Sequence, residues 1–170
     1  MFCDFTTTTH GKWILSGEHA VLRGHPALVF PVKEKKLTLK YQANHQPIHA
    51  NFHGACGDDI HMLFWSVVEY GLSQLNHSLA DITGYFDLSN TIPIGAGMGA
   101  SAALCAALAR WFAAQGFISE QKIYSFAKNL EHLFHGKSSG VDITGALATQ
   151  GICFQNGEQE LIEQLWQPHW

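Results

Sequence analysis

The stretch NTIPIGAGMGASAALCAALARWFA, Asn90–Ala113, sets Gly95, Gly97 and Gly99 directly ahead of an alanine-rich run. Alanine is the best helix former and glycine among the worst, so the spacing predicts a loop that gives way to a helix near Ala100. A helix start leaves about four backbone N–H groups without intrahelical partners, and the aligned peptide dipoles add partial positive charge there. Glycines let a bulky anion approach those amides, because no Cβ stands in the way. Close helix packing or a tight turn accounts for one or two glycines. Three at alternate positions describe a phosphate cradle.

G-x-x-x-x-G-K-[ST] is absent, which excludes the common P-loop. GAGMGA matches the dinucleotide fingerprint at Gly95, Gly97 and Ala100. That fingerprint belongs to a unit alternating strand and helix from its start, whereas this chain opens with successive strands. Ser101 points elsewhere: a hydroxyl in the first helical turn beside a triphosphate suits Mg²⁺. Lys12, in HGKWILSGEHAVLRG, lies between a glycine and an apolar strand. Asp142 lies among Ser, Gly and Val in HGKSSGVDITG, and Glu131 is a lone carboxylate on a largely apolar helical segment. Singly these read as a surface lysine, a capping aspartate and a solvated glutamate. Together with the cradle they supply a base, a cation and Mg²⁺ ligands, the parts that phosphoryl transfer needs.

Composition bounds the alternatives. The chain has 170 residues, 46% hydrophobic and 14% charged, which suits one domain with a real core. Net charge is −4 and the longest basic stretch is KEKK, Lys33–Lys36, read as a solvated strand end or turn, so no nucleic-acid partner is expected. Apolar runs stop well short of the roughly 18 residues that span a bilayer, and no membrane association is expected. Cys3, Cys56, Cys105 and Cys153 are scattered and no leader pattern precedes the first strand, so the expected location is cytoplasmic. His45, His49 and His53 are four apart, but Pro47 argues against a helix there. His132 and His135 form H-x-x-H without the glutamate or cysteines of a zinc site.

Along the chain, FCDFTTTTH, KWILSGEH and PALVFPV read as strands, and KLTLKYQ as a half-exposed strand by its alternation; PIHANFHG could add an edge strand. A helix is expected from about Asp58 to Leu75, with Asp58 and Asp59 at its favourable end, then a strand Tyr85 to Leu88 and the Ala100–Ala114 helix. Ser119 is the expected N-cap of a helix burying Ile123, Phe126, Ala127, Leu130, Leu133 and Phe134, followed by a loop, a short helix and a closing strand. The reading is one α+β domain, a mixed sheet with helices packed on it.

These residues resemble the kinase superfamily of galactokinase, homoserine kinase, mevalonate kinase and phosphomevalonate kinase. HGKWILSGEHAVLRGHPALVFPV, residues 10–32, is similar to the first signature motif in its mevalonate kinase form, G-K-x-I-L-x-G-E-H-A-V. IPIGAGMGASAAL, 92–104, resembles the second, P-x-G-x-G-L-G-S-S-A-A, and EHLFHGKSSGVD, 131–142, resembles E-x-x-x-H-G-x-P-S-G-x-D. The resemblance implies ATP and Mg²⁺ and an alcohol substrate, with mevalonate leading and phosphomevalonate or a sugar open. It implies that Asp142 takes the proton of the substrate hydroxyl and that Lys12 lowers that hydroxyl's pKa. Pro93, Gly95, Ala96, Gly97, Met98, Gly99, Ala100 and Ser101 match the nucleotide loop. Ser101 and Glu131 match Mg²⁺ ligands, and Glu18, His19 and Ser139 fall on the substrate side. The implied fold is like domain 2 of ribosomal protein S5, with a left-handed crossover.

The chain departs from that pattern in places. Ala100 stands for the first serine of the S-S pair, His10 for a proline, Lys137 and Ser138 for the x-P pair, and TQG for two glycines. The third motif, K-x-x-G-A-G-x-G-G, is nowhere in the 170 residues, and LIEQLWQPHW ends where the family runs into a ferredoxin-like C-terminal domain. The expectation is an N-terminal ATP-binding domain, excised or half of a split enzyme, completed by that domain in cis or trans. Alone it is expected to bind nucleotide weakly and turn over little, and uncovered apolar surface is expected to favour self-association, as in a homodimer. A non-catalytic nucleotide- or metabolite-binding module descended from such kinases is the alternative of another class.

Overall fold

The computed structural model describes residues 2–54, 57–136, 138–155 and 158–161. Cys56, Lys137 and the stretch 162–170 lie outside the described residues, as do the side chains of Asp58, Asp59 and His135.

One strand organises the sheet. PALVFPV and KLTLKYQ are not separate strands but parts of β2, Ala27–Pro47, a 21-residue strand. FCDFTTTTH and KWILSGEH likewise join into β1, Phe5–Ser16, which runs antiparallel along β2 from Phe5↔Tyr41 to Ser16↔Leu28. The joining was hidden in the sequence by KEKK. His10 pairs with Lys36 and Gly11 with Val32, so residues 33–35 form a bulge inside β2 rather than a strand end.

The far half of β2 pairs antiparallel with β4, Thr83–Asn90, which pairs in parallel with β3, His49–Gly54. Its near end pairs with β5, Ile152–Gln155, and β5 with β6, Glu158–Leu161, a strand the sequence did not announce. The order is β3-β4-β2-β5-β6 with β1 on β2, a largely antiparallel mixed sheet unlike the parallel sheet of a dinucleotide fold.

Helix α1, Gly57–Ser73, buries Ile60, Phe64, Val67, Val68 and Leu72, as its spacing predicts. Helix α2, Ala100–Ala114, packs against β1, β2, α1, α3 and α4, with every residue from Ala102 to Ala109 buried. Its alanines permit that close approach. Thr9 Oγ1 donates to Ala103 O at 2.8 Å, and Arg110 donates to Thr8 O at 3.0 Å, pinning α2 to β1. Tyr41, Phe86, Trp111 and Phe112 form the aromatic centre of the core.

Helix α3, Ile123–His135, buries Ala127 and Leu130 but leaves Leu133 exposed, at the edge of its apolar stripe. Ser119 makes no side-chain cap; a 3₁₀ turn at Glu120–Lys122 precedes α3. Helix α4, Val141–Leu147, leads to β5. Among the described residues no helix is long and apolar enough to cross a membrane.

Candidate active site

Lys12, on β1, is a buried charge at the centre of the site. Its backbone N–H donates to Met98 O at 2.9 Å, tying the glycine loop to the edge of β1. A Cβ at Gly99 would stand 2.8 Å from Lys12 Cγ, and one at Gly145 would stand 2.8 Å from Lys12 Cβ. The aliphatic stem thus runs between two positions that must lack a side chain. The residue is 5% exposed, and burying an ammonium without a partner is costly. Its partner is Asp142 in the first turn of α4: Lys12 Nζ lies 2.6 Å from Asp142 Oδ1. The Asp142 side chain keeps 30% of its surface open, so one end of the pair is sealed and the other faces the cleft.

That cleft, of about 320 Å³, is lined by Lys12, Asp142 and Glu18 together with Pro93, Gly95, Gly97, Met98, Gly99, Ala100 and Ser101. Gly95, Gly97 and Gly99 have φ of +76°, +72° and +73°, a left-handed series that L residues rarely adopt. A Cβ on Gly95 or Gly97 would meet nothing within 4 Å. The loop backbone is open to a ligand there rather than sealed by neighbouring side chains. Gly99 is the N-cap of α2, so the free amides of that helix start in the cleft, with Ser101 on its first turn.

The remaining expected residues divide. Ala96 borders a second cavity of about 400 Å³ on the other side of the loop, with Trp13, Val32, Glu34 and Lys35. His19 is exposed and does not line the cleft, while Ser139 accepts the Val141 N–H at 3.3 Å, at the start of the helix carrying Asp142. Glu131 lies behind the cleft wall, 1% exposed, rather than on the solvated helix face a lone glutamate suggests. Its Oε2 accepts the Ser138 hydroxyl and its Oε1 has no hydrogen-bond partner. Burial pushes its pKa up to about 7; the Ser138 bond opposes that rise, the Asp142 charge adds to it, and Lys12 and Lys128 oppose it.

The orphaned, buried Glu131 Oε1 fits a hard divalent cation, which takes oxygen ligands, as does the Ser101 hydroxyl on the first turn of α2. The glycine cradle fits a polyphosphate. The sequence marked Ser138 only as a departure from the family's proline and foretold none of its hydrogen bonds, and it did not single out Leu63, which lines the cleft. The histidines converge on nothing comparable: His53 pairs with Asp87 at 2.9 Å on β3 and β4, and no group of three or more His, Cys, Asp or Glu side chains gathers among the described residues.

Residues 62–150, from α1 through the glycine loop to the end of α4, match the family described as GHMP kinases N terminal domain. The chain belongs to the GHMP kinase family. GHMP kinases use ATP, which suits the open cradle. A mevalonate kinase of Aeropyrum pernix is 30% identical over 162 residues, 87% of this chain and 49% of that protein. A crystal structure of mevalonate kinase from methicillin-resistant Staphylococcus aureus superposes with a TM-score of 0.68 at 25% identity, covering 96% of this chain and 57% of that one. Lactococcus lactis galactokinase complexed with galactose gives a TM-score of 0.71 at 14% identity, over 94% of this chain and 47% of that one, a likeness of fold alone. This GHMP kinase chain spans about half the length of the curated relatives it matches.

Proposed function

We propose that this chain is the ATP-binding N-terminal half of a small-molecule kinase that moves the γ-phosphoryl group of ATP to an alcohol hydroxyl, with mevalonate the substrate and 5-phosphomevalonate the product. The single observation that carries the reading is the Lys12–Asp142 pair, 2.6 Å apart on the wall of a cleft floored by the glycine loop. A C-terminal domain, joined in cis or supplied in trans, completes the cleft. Scattered free thiols at Cys3, Cys105 and Cys153 support a cytoplasmic enzyme.

Asp142 accepts the proton as the hydroxyl oxygen bonds to the γ-phosphorus and the bond to the β,γ-bridging oxygen breaks. Lys12 orients that carboxylate and offers positive charge where the transferred group gains negative charge. The loop amides of residues 95–100 hold the phosphates, and Glu18, which lines the cleft, holds the alcohol. Ser101 and Glu131 would hold Mg²⁺, which would supply positive charge to neutralise the phosphates. The Aeropyrum pernix protein's name supports mevalonate over other alcohols.

Asp142→Asn tests the assignment in the chain joined to its C-terminal half. Phosphorylation, followed as ADP release, should fall by at least about a thousandfold, as loss of a general base and its charge requires, while ATP affinity is kept. Equal turnover by the variant would refute the role. In a panel of alcohols, a clear preference for galactose or phosphomevalonate over mevalonate would overturn the substrate.

A further inference from the structure

Ser138 sits where the family segment carries a proline, and its hydroxyl makes two bonds that a proline side chain cannot. It donates to Glu131 Oε2 on α3, and it accepts the N–H of Gly140, the N-cap of α4, at 3.0 Å. Two residues further on is Asp142, paired with Lys12. One hydroxyl therefore joins the buried carboxylate to the backbone that launches the helix bearing the other carboxylate. By occupying Oε2 it also decides which Glu131 oxygen is left over, and Oε1 is the one without a partner.

The joint is enclosed. A Cβ at Gly140 would stand 2.2 Å from Tyr124 Oη and 3.2 Å from Lys128 Cδ, so α3 packs closely on the backbone there. A carboxylate with one oxygen tied has a fixed plane, and a fixed plane presents the other oxygen in one direction. We infer that Ser138 is a positioning residue that fixes the Glu131 carboxylate for a divalent cation accompanying the nucleotide, in register with Asp142. The inference rests on the phosphotransfer reading. It assigns a role to a side chain that touches neither nucleotide nor alcohol.

The test measures ATP binding to the chain by calorimetry, with and without Mg²⁺, in wild type, Ser138→Ala and Ser138→Thr. Mg²⁺ should strengthen ATP binding in wild type and in Ser138→Thr, which keeps the hydroxyl. Ser138→Ala should lose about tenfold of that strengthening, the usual effect of removing a hydrogen bond to a metal ligand, with its Mg²⁺-free affinity unchanged. If Ser138→Ala does not fold, Ser138→Val against Ser138→Thr makes the same comparison between near isosteres. A variant that melts earlier but keeps the full Mg²⁺ effect overturns the inference and leaves the kinase reading standing. So does a wild type whose ATP affinity ignores Mg²⁺. A wild type that binds no ATP under either condition overturns both.

Discussion

Lys12 reaches Asp142 only because Gly145 has no side chain: a methyl there would stand 2.8 Å from Lys12 Cβ and 2.6 Å from Val29 Cγ2. Gly145 lies inside α4, where alanine would otherwise be the better helix former. Gly145→Ala should therefore go against propensity. We expect a loss of about 1–3 kcal/mol, the usual range for overpacking, read as a lower urea midpoint, together with weaker ATP binding as Lys12 is pushed from its channel. A more stable variant with intact nucleotide affinity would show that the channel is looser than its geometry.

The glycine loop gives a second expectation, with its own control. Gly97 (φ +72°) and Gly116 (φ +81°) both have left-handed backbones, and a Cβ on either meets nothing within 4 Å. Alanine at each should cost a similar amount, about 1–2 kcal/mol, from backbone strain alone. Only Gly97 faces the cleft. Gly97→Ala should weaken ATP binding by about tenfold or more, and Gly116→Ala should leave it unchanged; equal affinities in the two variants would remove the cradle from the nucleotide site.

Glu131 sets a pH dependence. Its carboxyl titrates near 7 in the folded chain, raised chiefly by burial, against an ordinary value of 4.5. Between those values the folded chain holds a proton that the unfolded chain has released. Its contribution is fully present below about pH 4.5 and is lost as pH rises through 7, in all by about 3 kcal/mol. Glu131→Gln should flatten that part of a stability profile measured by urea unfolding from pH 5 to 8. Mg²⁺ should stabilise wild type most at the alkaline end, where the carboxylate is ionised. A profile unchanged by Glu131→Gln would place the titration elsewhere.

The loop at 95–99 was legible in the sequence because it rests on local rules: glycine admits left-handed backbone and alanine propagates helix. The Lys12–Asp142 contact was not legible from spacing, since 130 positions separate the two and only the meeting of β1 with α4 brings them together; the family resemblance paired them. Glu131 was found as a residue type but not as a burial state, because an isolated glutamate on an apolar stripe reads alike whether it faces water or a buried hydroxyl. The strands before residue 48 were found as pieces. KEKK has the composition of a turn, and only pairing with β1 shows that the chain continues straight past it.

The surplus residues at 33–35 also decide which way Lys12 looks. Ahead of them Thr9 turns inward to bond Ala103, and strict alternation from Thr9 would send Gly11 and Trp13 inward next. Past them the inward set is Lys12 and Ile14, the first beside Gly145 and the second packed with Val29 and Val141, so β1 has changed parity. Excising residues 33–35 would restore an unbroken ladder and point the ammonium group away from Asp142, abolishing ATP-dependent turnover in the joined enzyme although none of the three residues touches that pair.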